Sequence, residues 1–234
     1  SPQFVGRINN QNLSALQNID YLIITVPEMM GQAQRLANYH QTKNNYNVQI
    51  VDTDKIYNEF GSGSRDLTAI RDFVTKLNTP LGTLKYVFIL GDTSYDFKNR
   101  VSNNSNVVTS YQSEESSDVI RSFVTDDYIV MTKPQTTEFI TNNLPDLPVG
   151  RLPAANVTEA ANMMDKTLAY YNNLSGQSTP FGEWKMKLDF IVDDDNDGGT
   201  PFHTVMNNSL ATFFEYSRHV LNDSHLKKLY FAVF

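Results

Sequence analysis

Apolar residues in this chain fall into short continuous runs, separated by stretches with helical spacing. Asp20 to Val26 (DYLIITV) is β-branched and apolar almost throughout, the character of a parallel strand buried on both faces. Met30, Ala33, Leu36, Ala37 and His40 follow at the spacing of one helix face. Val48 to Val51 predicts a second strand. Ser64 stands where it would cap a helix carrying Leu67, Ile70, Phe73, Val74 and Leu77 on one side, and Pro80-Leu81-Gly82 ends that helix. Tyr86 to Leu90 is the third strand. The order β-α-β-α-β predicts right-handed crossovers and a parallel sheet.

Farther along, Asn99 to Ser117 is polar and without pattern and reads as a long loop, a kind usually functional or mobile. Val124 to Met131 predicts a strand or hairpin arm around Thr125-Asp126-Asp127-Tyr128. Leu147 to Pro153 holds a short strand, and Asn156 with Glu159 forms an Asn-x-x-Glu capping box. The helix it opens places Ala160, Met163, Met164, Thr167 and Tyr171 inward. Asn172 to Gly182 has two Gly, a Pro and no periodicity, which marks a linker and a boundary near residue 180. Beyond it, strand, acidic loop, helix (Phe202 to Tyr216) and strand repeat the β-α-β theme, with Trp184 as a packing anchor.

The strong runs end in acidic loops. Leu84 to Leu90 stops at Gly91-Asp92-Thr93-Ser94-Tyr95-Asp96, and Leu188 to Val192 stops at Asp193-Asp194-Asp195-Asn196-Asp197-Gly198. In open α/β sheets, ligands sit just beyond the carboxyl ends of the strands, so these loops are where chemistry is expected. Leu229 to Phe234 has no such loop after it, which predicts that the chain is part of a larger protein.

Composition narrows the function classes. The 234 residues carry a net charge of -7, which argues against a nucleic-acid surface. No apolar stretch approaches the roughly 18 residues of a membrane span, and no signal-peptide pattern opens the chain. With Cys 0, disulfides, thiolate metal sites and a Cys nucleophile within these residues are excluded. No Gly-rich phosphate loop and no Gly-x-Ser-x-Gly elbow occur.

Several carboxylates invite a closer reading. Asp193-x-Asp195-x-Asp197-Gly198 matches the first half of an EF-hand loop, but Thr204 stands where its closing Glu belongs and no helix precedes it. A solvated turn, or one carboxylate with another task, is the better account. Asp92, Asp96, Asp126, Asp127 and Asp146 lie on loops that a parallel sheet would gather at one edge. Converging carboxylates repel unless a hard cation offsets the charge, whereas separate turn residues need none. His203, at the start of a helix near the acidic loop, suits either acid/base work or a plain helix start. Arg151, between Gly150 and Leu152, reads as one half of a buried ion pair.

Taken in order, several segments resemble the gingipain family of cysteine peptidases. They are Asp20 to Thr25, Tyr86 to Asp92, Thr125 to Tyr128, Leu147 to Pro153, Asp165 to Tyr171, and Trp184 to Asp195. The opening Phe4 to Leu13 favours the sortase branch, the C-terminal signal peptidases of the type IX secretion system, where such a segment links β-rich domains to the peptidase. The resemblance implies a caspase-like, three-layer α/β fold with a parallel-rich sheet. Residues 1–18 would be a linker, 19–180 a complete first subdomain, and 181–234 the truncated start of a second. The family's Cys and its Gly-His-Gly histidine belong to that second subdomain, and neither is in this sequence.

By the same resemblance, Asp195 (with Asp194 as the near alternative) would orient the catalytic histidine. Thr200 and His203 would face substrate; Arg-specific members carry an Asp where Thr200 stands, so Arg or Lys specificity does not carry over. Calcium would be held by Asp92, Asp96 and Asp146. The implied partners are protein substrates with C-terminal signal regions and other secretion-system components, at the cell surface of a Gram-negative, Bacteroidetes-type bacterium. Two other classes compete: a non-catalytic α/β binding or regulatory module with an acidic cation pocket, and a structural gingipain homologue without the Cys.

Overall fold

Four parallel strands form the centre of the described molecule: β1 (Tyr21–Thr25), β2 (Val48–Asp52), β3 (Tyr86–Leu90) and β6 (Val149–Leu152), in the order β2-β1-β3-β6. The computed structural model describes residues 10–79, 82–98, 100–113, 122–133 and 144–172, with 3, 6, 7, 117 and 118. The chain divides into two compact units, Ser1–Leu168 and Ala169–Phe234, and the whole four-stranded sheet belongs to the first. The expectations for the linker after Asn172, for Trp184, for the Asp193 to Asp197 loop with Asp194 and Asp195, and for Thr200 and His203 lie outside the described residues.

β1 is central and buried along its whole length, as its unbroken apolar run requires. Its side chains alternate between two cores. Leu22 and Ile24 join Val87 and Ile89 under α2 (Thr53–Phe60) and α3 (Leu67–Leu77), which contribute Ile56, Ile70, Phe73 and Val74. Tyr21 and Ile23 meet Ala33, Leu36, Ala160 and Met164, from α1 (Met30–Asn44) and α5 (Val157–Asn172). The period-2 strand thus divides two helical layers, giving the three-layer α/β arrangement. Leu22, Ile23 and Ile24 are each 0% exposed, and burying such a side chain is worth roughly 1.5–3 kcal/mol. A polar replacement in this strand would therefore disrupt a core on one side or the other.

The β-α-β-α-β reading holds, with three refinements. α2 is an additional helix: Asp52 ends β2 and at once caps it, its carboxylate accepting the Lys55 N–H at 3.0 Å. The cap of α3 is Asp66, which accepts the Thr68 N–H at 2.9 Å, rather than Ser64. The loop read from Asn99 to Ser117 is not wholly polar in its packing, because Val108 is fully buried and Tyr111–Gln112 forms β4. That short strand pairs antiparallel with β5 (Val124–Thr125), and a single turn of helix, α4 (Asp127–Val130), follows.

α5 starts as its sequence predicts. The Glu159 N–H donates to Asn156 Oδ1 at 2.9 Å, and the Glu159 carboxylate accepts from Asn156 Nδ2 at 2.7 Å and from the Ala155 N–H at 2.9 Å. Ala160 and Met164 face the core, but Tyr171, expected inward, is exposed. It lies in the last turn of the helix. Arg35 of α1 and Asp165 of α5 form an ion pair that ties the two helices of this layer together.

Candidate functional site

The chain leaves β1 for β2 on one side and then returns to place β3 on the other. This reversal makes a switch point at the carboxyl ends of β1 and β3, the usual ligand position in an open α/β sheet. The segments gathered there are Val26 to Met29 after β1, the first turn of α2 (Thr53 and Asp54) after β2, Gly91, Asp92 and Asn106 to Thr109 after β3, and Ala154 after β6.

Arg151 organises this edge. Its Nε and Nη2 form a two-pronged pair with Asp126, at 2.8 and 2.7 Å, while Nη1 donates to the carbonyls of Gly91 at 2.7 Å and Val108 at 2.8 Å. The side chains are only 10% and 16% exposed. A planar guanidinium supplies all these donors in fixed directions, which a lysine cannot do. One residue from β6 therefore joins the exit of β3, the middle of the long loop and the corner before α4. Its reading as a buried ion-pair partner stands.

The loop after β3 is tightly folded. Gly91 has φ of +145°, and a Cβ there would lie 2.7 Å from Val107 Cγ1, so a side chain is excluded on two counts. The Asp92 N–H donates to the Ala154 carbonyl at 2.8 Å, and its own carbonyl accepts from Val107 and Val108 at 2.9 and 3.0 Å. Asp96 is buried; its Oδ2 accepts the N–H groups of Arg100 at 2.5 Å and Val101 at 2.7 Å. Asp96 thus closes a turn inside its own loop.

Asp146 works elsewhere in the same manner. One of its oxygens accepts from the N–H groups of Thr132 at 2.8 Å and Lys133 at 3.1 Å and from the Thr132 hydroxyl at 3.1 Å, and the other pairs with the Lys133 ammonium. Burial raises its pKa, but these donors outweigh that and hold the carboxyl below its usual range. Both oxygens of Asp146 are thus engaged by donors of the Thr132–Lys133 segment. Among the described residues, no three His, Cys, Asp or Glu side chains come together so as to hold a metal ion. Asp92, Asp96 and Asp146, as arranged here, do not form one shared cage.

Beside the switch point lies a cleft of about 220 Å³, lined by Val26, Pro27, Glu28, Thr53, Asp54, Tyr57, Arg65, Asn106, Val107 and Thr109. Tyr57, Thr53 and Thr109 are buried in its wall, whereas Glu28, Asp54 and Arg65 are exposed. Burial pushes the Tyr57 phenol up, against opposing effects of the Thr109 hydrogen bond and of Arg65, so it remains a neutral donor. These groups can pair with a polar ligand, and they include no nucleophile beside a base. Glu28 and Asp54 are absent from the residues that sequence patterns single out, although their positions just past β1 and β2 are a usable signal. Arg65 offers none, since it comes from the α2–α3 turn.

His40 is the one histidine among the described residues, and it stands away from this edge. It stacks on Tyr21, the first residue of β1, with ring centroids 4.3 Å apart. Burial lowers its pKa, partly opposed by the Asn44 side chain, which suits a neutral packing residue better than a base.

Comparison with known proteins agrees with this architecture. No curated protein matches the chain. Among solved structures, dimeric latent PorU from Porphyromonas gingivalis superposes with a TM-score of 0.64 and 28% identity, over 74% of this chain and 17% of that one. A second structure, described as a protease, shows the same fold at a TM-score of 0.52 and 15% identity, covering 79% of this chain and 34% of the other. The chain thus spans only a small part of the length of these proteins. The model of peptidase family C25 matches residues 14–233, nearly the whole sequence, and the chain belongs to that family, the gingipain-like cysteine peptidases.

Proposed function

We propose that this chain is part of an exported gingipain-like cysteine endopeptidase, the sortase that removes C-terminal signals from proteins leaving by the type IX secretion route. The observation that carries the reading is the 28% identity to PorU across 74% of the chain, within a family match over residues 14–233. The chain contains no cysteine, so a thiolate nucleophile would have to come from sequence outside these 234 residues. The described unit would act as the scaffold of the peptidase, with its carboxyl edge held by Arg151. Asp195, or Asp194, would orient the general-base histidine and stabilise the imidazolium, and Thr200 and His203 would contact substrate. The site of action would be the cell surface. Among the described residues, no helix is long and apolar enough to cross a membrane.

Calcium on the Asp92–Asp96 loop is a separate part of this proposal, supported by the family resemblance alone. A single assay tests the reading: the full-length parent protein is incubated with a substrate that carries a C-terminal signal domain. Cleavage should be abolished by a thiol alkylator and should fall by a factor of about 10⁴ in turnover number for Asp195→Ala, with little change in KM. Cleavage that survives alkylation would refute the cysteine-peptidase reading. Equal, small effects of Asp194→Ala, Asp195→Ala and Asp197→Ala would reduce the acidic loop to a solvated turn. Unchanged cleavage and melting temperature in excess chelator would remove calcium from the account.

A further inference from the structure

The outer side of α2 carries a second gathering point, built on one carboxylate. Glu59 Oε2 accepts the Leu13 N–H at 2.8 Å and Gln11 Nε2 at 3.3 Å. Glu59 Oε1 accepts the Ser14 N–H at 2.7 Å and the Ser14 hydroxyl at 2.6 Å. Gln11 Nε2 also donates to the Lys55 carbonyl, at 2.7 Å, one turn earlier on the helix. The segment approaching β1 is therefore strapped to α2.

Its local structure explains why a carboxylate is needed. Leu13–Ala15 is a single 3-10 turn, capped from within by Asn12, whose side chain accepts the Ala15 N–H at 3.0 Å. So short a turn leaves its leading N–H groups without internal partners. Glu59 satisfies the two that remain, at Leu13 and Ser14, in the way an N-cap would, but from another element. Burial alone would raise its pKa. The Ser14 hydroxyl, the two N–H groups and Gln11 together hold it below the usual carboxylate range, so it stays charged.

Two apolar side chains of the strap pack inward, Leu13 buried and Leu16 half-buried against the same core. Leu13 is 8% exposed and packs into the core beneath α2 and α3, while Asn12, Ser14 and Ala15 are exposed. The strap is thus fixed by the apolar contacts of Leu13 and Leu16, by the Gln11 bond to the Lys55 carbonyl, and by one carboxylate that gathers four of its donors. Glu59 lies outside the buried core, and α2 meets the sheet through Ile56 and Tyr57 instead.

We propose that Glu59 is a latch, a local fastening that holds residues 10–16 across α2 and α3 and opens without unfolding the sheet. Its release would loosen the polar side of the segment leading into the domain, leaving the apolar contacts of Leu13 and Leu16 and the Gln11 bond to the Lys55 carbonyl to hold it. The inference concerns a conformational device and does not depend on the peptidase reading.

Residue-resolved hydrogen exchange on the 234-residue chain tests it, comparing the wild type with Glu59→Ala. The Leu13 and Ser14 amides should exchange about tenfold faster or more in the variant, while the amides of β1 and β3 keep their rates. Limited proteolysis should then cut within residues 10–18 sooner than in the wild type. The latch is disproved if Leu13 and Ser14 exchange equally fast in both proteins. It is equally disproved if the acceleration spreads to β1 and β3, or if Glu59→Ala does not fold, because the residue would then support the whole domain.

Discussion

The two ends of the parallel sheet each carry an ion pair, and the pairs differ in kind. At the carboxyl edge, Arg151 and Asp126 are 10% and 16% exposed and meet through two parallel hydrogen bonds, with the remaining guanidinium nitrogen on two loop carbonyls. At the amino edge, Lys85 is 53% exposed and touches Asp20 at 2.9 Å through a single ammonium contact. Asp20 is held below the usual carboxylate range first by the N–H of Asn47 and only then by Lys85. The first pair fixes the path of three loops; the second decorates an edge that the backbone already holds. Equal formal charge thus says little about structural weight, which burial and the number of directed bonds decide.

Breaking the buried pair should have the largest effect. Arg151→Met leaves Asp126 as an uncompensated, mostly buried charge and two carbonyls without their donor. A loss of about 3–5 kcal/mol in urea-unfolding free energy is expected. Arg151→Lys should recover little, because one ammonium cannot meet the forked geometry. Arg151→Met combined with Asp126→Leu should recover much of the loss, and failure to do so would place the weight on the Gly91 and Val108 carbonyls instead.

Asp146 is intermediate and is read through pH. Its folded pKa lies below the unfolded value, so the stability it contributes is fully present above the ordinary carboxylate pKa of about 4 and is lost as pH falls through the folded value. Unfolding free energy measured from about pH 5 downwards should therefore fall with acidification, and Asp146→Asn should flatten that slope. An unchanged slope would show that the clasp on Thr132 and Lys133 does not matter in solution.

The smallest effect belongs to Lys85→Met, which should leave the urea midpoint unchanged within error, since a half-exposed ammonium is screened and its partner keeps the Asn47 bond. A clear loss would erase the contrast between the two edges.

Much of the fold is legible because strands and helices announce themselves by period. β1, β3 and α1 lie almost where their apolar spacing places them. α2 is harder to read, because its eight residues make little more than two turns, although Ile56, Tyr57 and Phe60 fall on one face. The site is less legible. Asp96 and Asp146 share acidity and a place beside strands, which suggests a common task, yet each serves its own turn. The cleft draws Glu28, Asp54 and Arg65 from the turn after β1, the first turn of α2 and the α2–α3 connection, a juxtaposition no local pattern contains.

The sequence by itself determined the alternation of strand and helix, the two-sided burial of β1, the capping box of α5, and the absence of any cysteine. Those follow from periodicity and residue chemistry acting over a few positions. Only the tertiary structure decided that Arg151 meets Asp126, 25 residues away in sequence, and that Glu59 fastens Leu13 and Ser14 from 46 and 45 residues away. A carboxylate's partner depends on which backbone donors the packed helices and loops bring within hydrogen-bonding distance, and that proximity exists only once the two cores have closed on the sheet.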